Sequence, residues 1–278
     1  MKSRNTACTP PRNPLPTERK RLFLSRRVGI WLFLALAVVV GIAALLFPRT
    51  PQPLSYHDFA DRRGWLGIPN FGDVASNILF LVAGLWGLAF LGRKSSRERF
   101  VDARERWPYA IVFLGLLLTA FGSSYYHLAP DNPRLLWDRL PMTVVFMPLV
   151  AAMIAERSNP RLGLWLLPVL MAVGIGSVLQ WHLSEQRGVG DLRFYAAVQL
   201  YSLLALLVAL LLPPRYTQGS YLLVVAGLYV VAKVCEREDR LIFSLGHVVS
   251  GHTLKHLAAG AAGLAVLRML QKRQLVTQ

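Results

Sequence analysis

Two histidines four residues apart, His252 and His256, stand in the stretch Gly246-His247-Val248-Val249-Ser250-Gly251-His252-Thr253-Leu254-Lys255-His256. On a helix they share one face, one turn above the other. Imidazoles so paired can grip a single metal ion, although the same pair could ligate haem or bond across helices. The pattern is not H-E-x-x-H, because Thr253 follows His252. Lys255 is turned about 100° from His256 and reads as no general base for such a metal. A third histidine, His127, closes Gly122-Ser123-Ser124-Tyr125-Tyr126-His127, with Ser123 one turn before it on the same face. Asp138 follows eleven residues later in Leu136-Trp137-Asp138-Arg139-Leu140-Pro141-Met142. Three histidines and one water are a usual set for catalytic zinc, and the metal lowers the pKa of that water to about 7. Asp138 is then the candidate general base and acid. Ser123 is the candidate donor to a developing oxyanion.

Each residue also has an ordinary role. His127 could sit at a helix end facing the interface. Asp138 could complement a helix N-terminus, with Pro141 in the first turn. Asp73 and Asn77, which share a face, could bond between helices. What joins them is the set of elements that must carry them.

Those elements are membrane spans. Of 278 residues, 54% are hydrophobic and 17% charged, against about 25% charge in soluble domains. The apolar residues form long blocks, each enough to cross about 30 Å of hydrocarbon. A soluble globule, a disulfide scaffold and a disordered chain are excluded, and so is a β-barrel, whose strands would be about 10 residues long and alternating. The expected spans are Val28–Phe47, Phe71–Leu91, Trp107–His127, Asp138–Ala155, Leu162–Leu183, Leu192–Leu212, Tyr221–Cys235 and Leu245–Leu270. The first reads as an uncleaved anchor, because its apolar run exceeds that of a signal peptide and no small-residue cleavage site follows in Pro48-Arg49-Thr50-Pro51.

Lys and Arg in alternate loops number 20 on the side of the termini and 10 on the other, which places both termini in the cytoplasm. The net charge of +16 is thereby largely topological. No aromatic-interleaved basic domain exists, so nucleic acid is not a partner. Cys8 and Cys235 fall on opposite sides and cannot pair. With this topology His127, Asp138, Asp73 and the His252/His256 pair all lie near the non-cytoplasmic face. Four ordinary roles at one depth are less economical than one shared site. A site just inside the bilayer surface suits metal-assisted hydrolysis of an amide or ester in a lipid. Gln180, His182 and Glu185, at the outer end of the fifth span, are candidates for its portal.

The order Ser-x3-His, then Asp in a Leu-Pro-Met context, then a late His-x3-His resembles the alkaline ceramidases, of a superfamily shared with progestin/adiponectin receptors and Per1-like proteins. The matching stretches are Gly122–His127, Trp137–Met142 and His252–His256, with Ser76-Asn77 similar to the Ser-Asn of the family's first core helix. The likeness covers about residues 57–270. It implies an all-α integral membrane protein: a seven-transmembrane-helix bundle (57–270) plus one extra N-terminal transmembrane helix (28–47), between a basic cytoplasmic tail (1–27) and a C-terminal tail (271–278). It implies Zn2+ on His127, His252 and His256, with Ser123 and Asp138 beside the reacting centre, and hydrolysis of an N-acyl lipid to a fatty acid and a sphingoid base or related amine. The residues do not distinguish ceramide from another N-acyl lipid, and they name no oligomeric state. The family's acidic Ca2+-binding motif is not matched. Asp58, Asp61, Asn70 and Asp73 leave hard oxygen ligands, but the resemblance does not carry Ca2+ over to this chain. The superfamily also admits a different reading, a seven-helix receptor or sensor that retains a zinc site; a transporter or haem protein is a further one.

Overall fold

A computed structural model describes residues 23–276. Most of the expected basic tail 1–27, including Cys8, and the last two residues lie outside the described residues. The helices are α1 (Arg26–Leu46), α2 (Phe71–Ala75), α3 (Ile78–Gly92), α4 (Arg106–Leu128), α5 (Asn132–Arg157), α6 (Pro160–Gln186), α7 (Arg193–Leu210), α8 (Tyr221–Arg237), α9 (Asp239–Ser244) and α10 (Gly251–Lys272). No strand occurs among the described residues.

Local chemistry sets the ends. Ser25 caps α1 by accepting from the Val28 N–H, and the helix stops before Pro48, which forces Phe47 to extended geometry. Asp131 and Asn159 cap α5 and α6, each with proline in the first turn. Ser250 caps α10. That last helix was expected from Leu245. Instead His247 takes a positive φ of 53° and residues 245–250 turn outside the helix. Likewise α5 starts at Asn132 rather than Asp138, because Asp131-Asn132-Pro133 supplies a complete start signal. Asp138 is therefore not a first-turn residue, and Pro141 lies inside the helix.

Among the described residues, six segments are long and apolar enough to cross a membrane: Arg26–Leu46, Phe71–Gly92, Ala103–Leu128, Asn132–Arg157, Pro160–Gln186 and Arg193–Leu210. The other two long helices are α8, of 17 residues, and α10, which carries His252, Lys255, His256 and Arg268. Large apolar side chains cover the outside: Trp31, Leu34, Val39, Trp165, Val169, Val230 and others are exposed. A continuous apolar exterior is the expected surface of a bundle dissolved in lipid.

In the bundle α5 is the most buried helix, while α1 and α6 lie at the periphery. The seam between α4 and α5 has a specific cause. Pro141 and Pro148 lack an N–H, so the carbonyls four residues earlier, Trp137 and Val144, lose their helical partners. Gly122 and Gly115 of α4 lie against those two carbonyls, and a Cβ at either position would collide with them. Small residues thus let the backbones approach closely, which fixes the His127 end of α4 beside the Asp138 turn of α5.

The two ends of the bundle differ. At one, the 47–70 loop lies over α4, α6 and α9: Gln52 N–H donates to Glu185 Oε1 (2.7 Å), Ala60 N–H to Asp239 Oδ2 (2.9 Å) and Asn70 Nδ2 to the His127 carbonyl (2.8 Å). At the other, Arg273 is buried against Glu156, and its guanidinium lies over Phe100 and Tyr216. The expected tail from residue 271 is thus held at its start, and Leu275 bridges to Tyr216.

Candidate metal centre

His127 ends α4, and His252 and His256 occupy the first two turns of α10. All three are buried, and one ligand atom from each lies within 4.8 Å of the others. Their ring centroids are 4.8, 4.9 and 4.8 Å apart. They could hold a metal ion, and among the described residues no other group of three or more His, Cys, Asp or Glu is so placed.

Each imidazole is fixed differently. His256 Nδ1 lies 2.9 Å from Ser76 Oγ and 3.1 Å from the Asp73 carbonyl. A carbonyl only accepts, so Nδ1 carries the proton and Nε2 keeps its lone pair for the centre. That carbonyl is free because the helix opens there. Asn77 N–H bonds to Val74 rather than to Asp73, while Ser76 Oγ and Asn77 Nδ2 donate to Asp73 O (3.0 and 2.9 Å). The expected single span Phe71–Leu91 is accordingly split into α2 and α3. His252 is held by its backbone N–H donating to Asp239 Oδ1 (2.8 Å) and by Phe59 at 4.4 Å. His127 packs on Phe59 and Tyr126 at 4.7 and 4.8 Å. Neither of its ring nitrogens has a partner, and neither does the buried Ser123 Oγ. Orphaned nitrogens at zero exposure are costly unless something ligates them, and neutral imidazoles from two helices are a donor set that suits zinc.

An apolar cavity of about 270 Å³ reaches the cluster at His256. Ser123, Asp138, Lys255 and His256 line it together with Val112, Leu149, Val150, Leu206 and Val266. Helices α3, α4, α5, α7, α8 and α10 enclose it. A second, more polar cavity of about 590 Å³ opens beside His252 and shares Tyr56, Lys233 and Glu236 with the first.

Lys255, expected to turn away from His256, reaches His252 and Glu236. Its ammonium donates to His252 Nε2 (3.2 Å) and to Glu236 Oε1 (2.8 Å), because a long flexible stem reaches back to the residue three positions earlier. Glu236, which also accepts from Tyr56 (3.0 Å) and Lys233 (2.7 Å), is marked in the sequence by an acid and a base three apart at the end of an apolar helix. Gln180, His182 and Glu185 line neither of these two cavities. Glu185 instead accepts from Gln52 and Trp181, and Gln180 donates to Asp191.

The four residues considered for calcium have protein partners. Asp58 pairs with Arg62 and Arg240, Asp61 with Arg63, Asn70 with His127, and Asp73 Oδ1 accepts from Thr253 (2.8 Å) and Ser250 (3.2 Å). Outside the spans, the Arg63 hydrogen bonds hold the Asp61 carboxyl below its ordinary 3.8. Cys235 is a free thiol.

No family model matches the chain, and no curated protein matches it.

Proposed function

We propose that this chain is a zinc-dependent amidohydrolase of a lipid amide, ceramidase-like, releasing a fatty acid and a sphingoid base or related amine from an N-acyl lipid. The same reading takes α2 to α10 as a seven-helix core with α2 and α3 forming one span and α1 as an additional helix. It puts both termini in the cytoplasm and the site near the opposite face, in keeping with the excess of Lys and Arg in loops on the side of the termini.

One observation carries the reading: three buried imidazoles from α4 and α10 cluster, with both His127 nitrogens unpartnered, and one of them, His256, lines an apolar cavity. Zinc held by His127, His252 and His256 would supply hydroxide at neutral pH by lowering the pKa of its water to about 7. Asp138, on the cavity wall, accepts the proton of the attacking water at its carboxylate and returns it to the amide nitrogen as the carbon–nitrogen bond breaks. Ser123 Oγ–H, free of other partners, donates to the carbonyl oxygen as negative charge develops there. The wall of Val112, Leu149, Val150, Leu206 and Val266 takes the acyl chain and excludes water.

The test is metal analysis of the purified chain together with fatty-acid release from a total lipid extract. The expected result is about one zinc per chain and release that falls about 10²- to 10⁴-fold in Asp138→Asn with zinc retained. His252→Ala is expected to lose both. A zinc-loaded chain inert toward all N-acyl lipids would overturn hydrolysis and favour the receptor or sensor reading. Full zinc in His252→Ala would overturn the ligand set.

A further inference from the structure

Beside the reaction centre lies a cation without a counter-ion. Arg139 is 5% exposed, yet among the described residues it joins no salt bridge. Three rings surround its guanidinium: Trp181 at 4.3 Å, Tyr195 at 5.0 Å and Tyr56 at 5.3 Å. Nη2 donates to Gln52 Oε1 (2.6 Å), while Nη1 is buried and has no partner. The residue lines the apolar cavity next to Asp138, Tyr56 and Tyr195.

A buried charge is normally paired or coordinated. The aromatic cage offsets part of the desolvation of a guanidinium, and Gln52 satisfies one side. The open nitrogen is left for a ligand. Every other cation lining the apolar or the polar cavity is engaged: Lys255 and Lys233 by Glu236, Arg237 by Glu238, Arg240 by Asp58. Among the cations that line these two cavities, Arg139 alone joins no salt bridge, and it faces an apolar space. A planar acceptor with two oxygens on an apolar chain matches that space and charge; a carboxylate fits a guanidinium edge well.

We propose that Arg139 is the anchor of a carboxylate-bearing amphiphile, its Nη1–H donating to the carboxylate while the chain lies in the cavity. Two sources share this chemistry: a free fatty acid, and an N-acyl lipid whose amine half carries a carboxylate. The inference rests on the cavity holding an acyl chain, as in the function proposed above, but not on hydrolysis.

The test is equilibrium binding of dodecanoate against dodecanol, and of N-dodecanoylglycine against N-dodecanoylethanolamine, to the full chain in detergent at mildly alkaline pH. Zinc content is measured in parallel. Wild type is expected to bind the carboxylate member of one pair about ten- to a hundred-fold more tightly than the neutral member, and that pair names the source. Arg139→Gln is expected to remove the preference while zinc content and neutral binding stay unchanged, which separates the effect from any carboxylate–metal contact. Arg139→Lys, which keeps charge but not the fork, is expected to retain part of it. Equal binding of acid and neutral partner in both wild-type pairs overturns the proposal and leaves the acyl cavity standing. A preference that persists in Arg139→Gln also overturns it. Failure of all four amphiphiles to bind overturns the cavity reading as well. The wild-type comparison decides even if the variants fold poorly.

Discussion

Ser76→Ala is the sharpest probe of how the histidines are held. The hydroxyl touches no proposed metal position; it lies 2.9 Å from Nδ1 of His256 and also donates to the Asp73 carbonyl. Removing it takes one of two acceptors from Nδ1–H and leaves the Asp73 carbonyl at 3.1 Å. One buried hydrogen bond is worth about 0.5–1.5 kcal/mol net, and loss of such an outer contact typically costs about 10- to 100-fold in metal affinity. Because the second acceptor remains, the smaller figure is expected: about a tenfold weaker zinc affinity, or about 1.4 kcal/mol. The assay is competition against a graded series of chelators, with zinc counted per chain. Ser124→Ala, one residue from Ser123 on α4, serves as control and is expected to leave affinity unchanged. His256→Ala is expected to abolish stoichiometric binding. An unchanged affinity in Ser76→Ala, with His256→Ala also retaining zinc, would refute the assignment of His256 Nε2 to the centre.

Three further outcomes follow from the fold. Gly122→Ala forces a methyl against the Trp137 carbonyl and is expected to cost about 1–3 kcal/mol by overpacking, read as a lower unfolding midpoint in denaturant. Arg273→Met leaves Glu156 buried without its cation and is expected to cost about 3–5 kcal/mol, most of it recovered in the double variant with Glu156→Gln; the unfolding midpoints of the three proteins check this. Asp61, held below 3.8 chiefly by Arg63 hydrogen bonds, binds protons more readily unfolded than folded. Its contribution is therefore constant from neutrality down to about pH 5 and is lost as pH falls through the folded value, below about pH 4. Because Arg63 also donates to the His247 and Val248 carbonyls (2.6 and 2.9 Å), proteolysis of the 58–70 loop should rise in that acid range, and Asp61→Asn should show the raised rate already at neutral pH.

The chain's own order of residues was enough to determine the membrane class, the approximate helices and the three histidines. Apolar blocks of span length are a local property, and i, i+4 spacing places Ser123 with His127 and His252 with His256 whatever else the chain does. Helix starts were less legible where two signals competed: Asp131-Asn132-Pro133 prevailed over Asp138, and Ser250 over Leu245. Only the tertiary structure brought α4 to α10 and closed the histidine cluster. It alone showed that Pro141 and Pro148 bare carbonyls on which Gly122 and Gly115 pack, that Lys255 meets Glu236 of α8, and that Arg139 sits caged by aromatic rings with no salt bridge among the described residues. The physical reason is common to all of these. Helical periodicity fixes which neighbours share a turn, whereas the partner of a buried charge or an unbonded carbonyl is whichever distant group the packing of separate helices brings within about 3 Å.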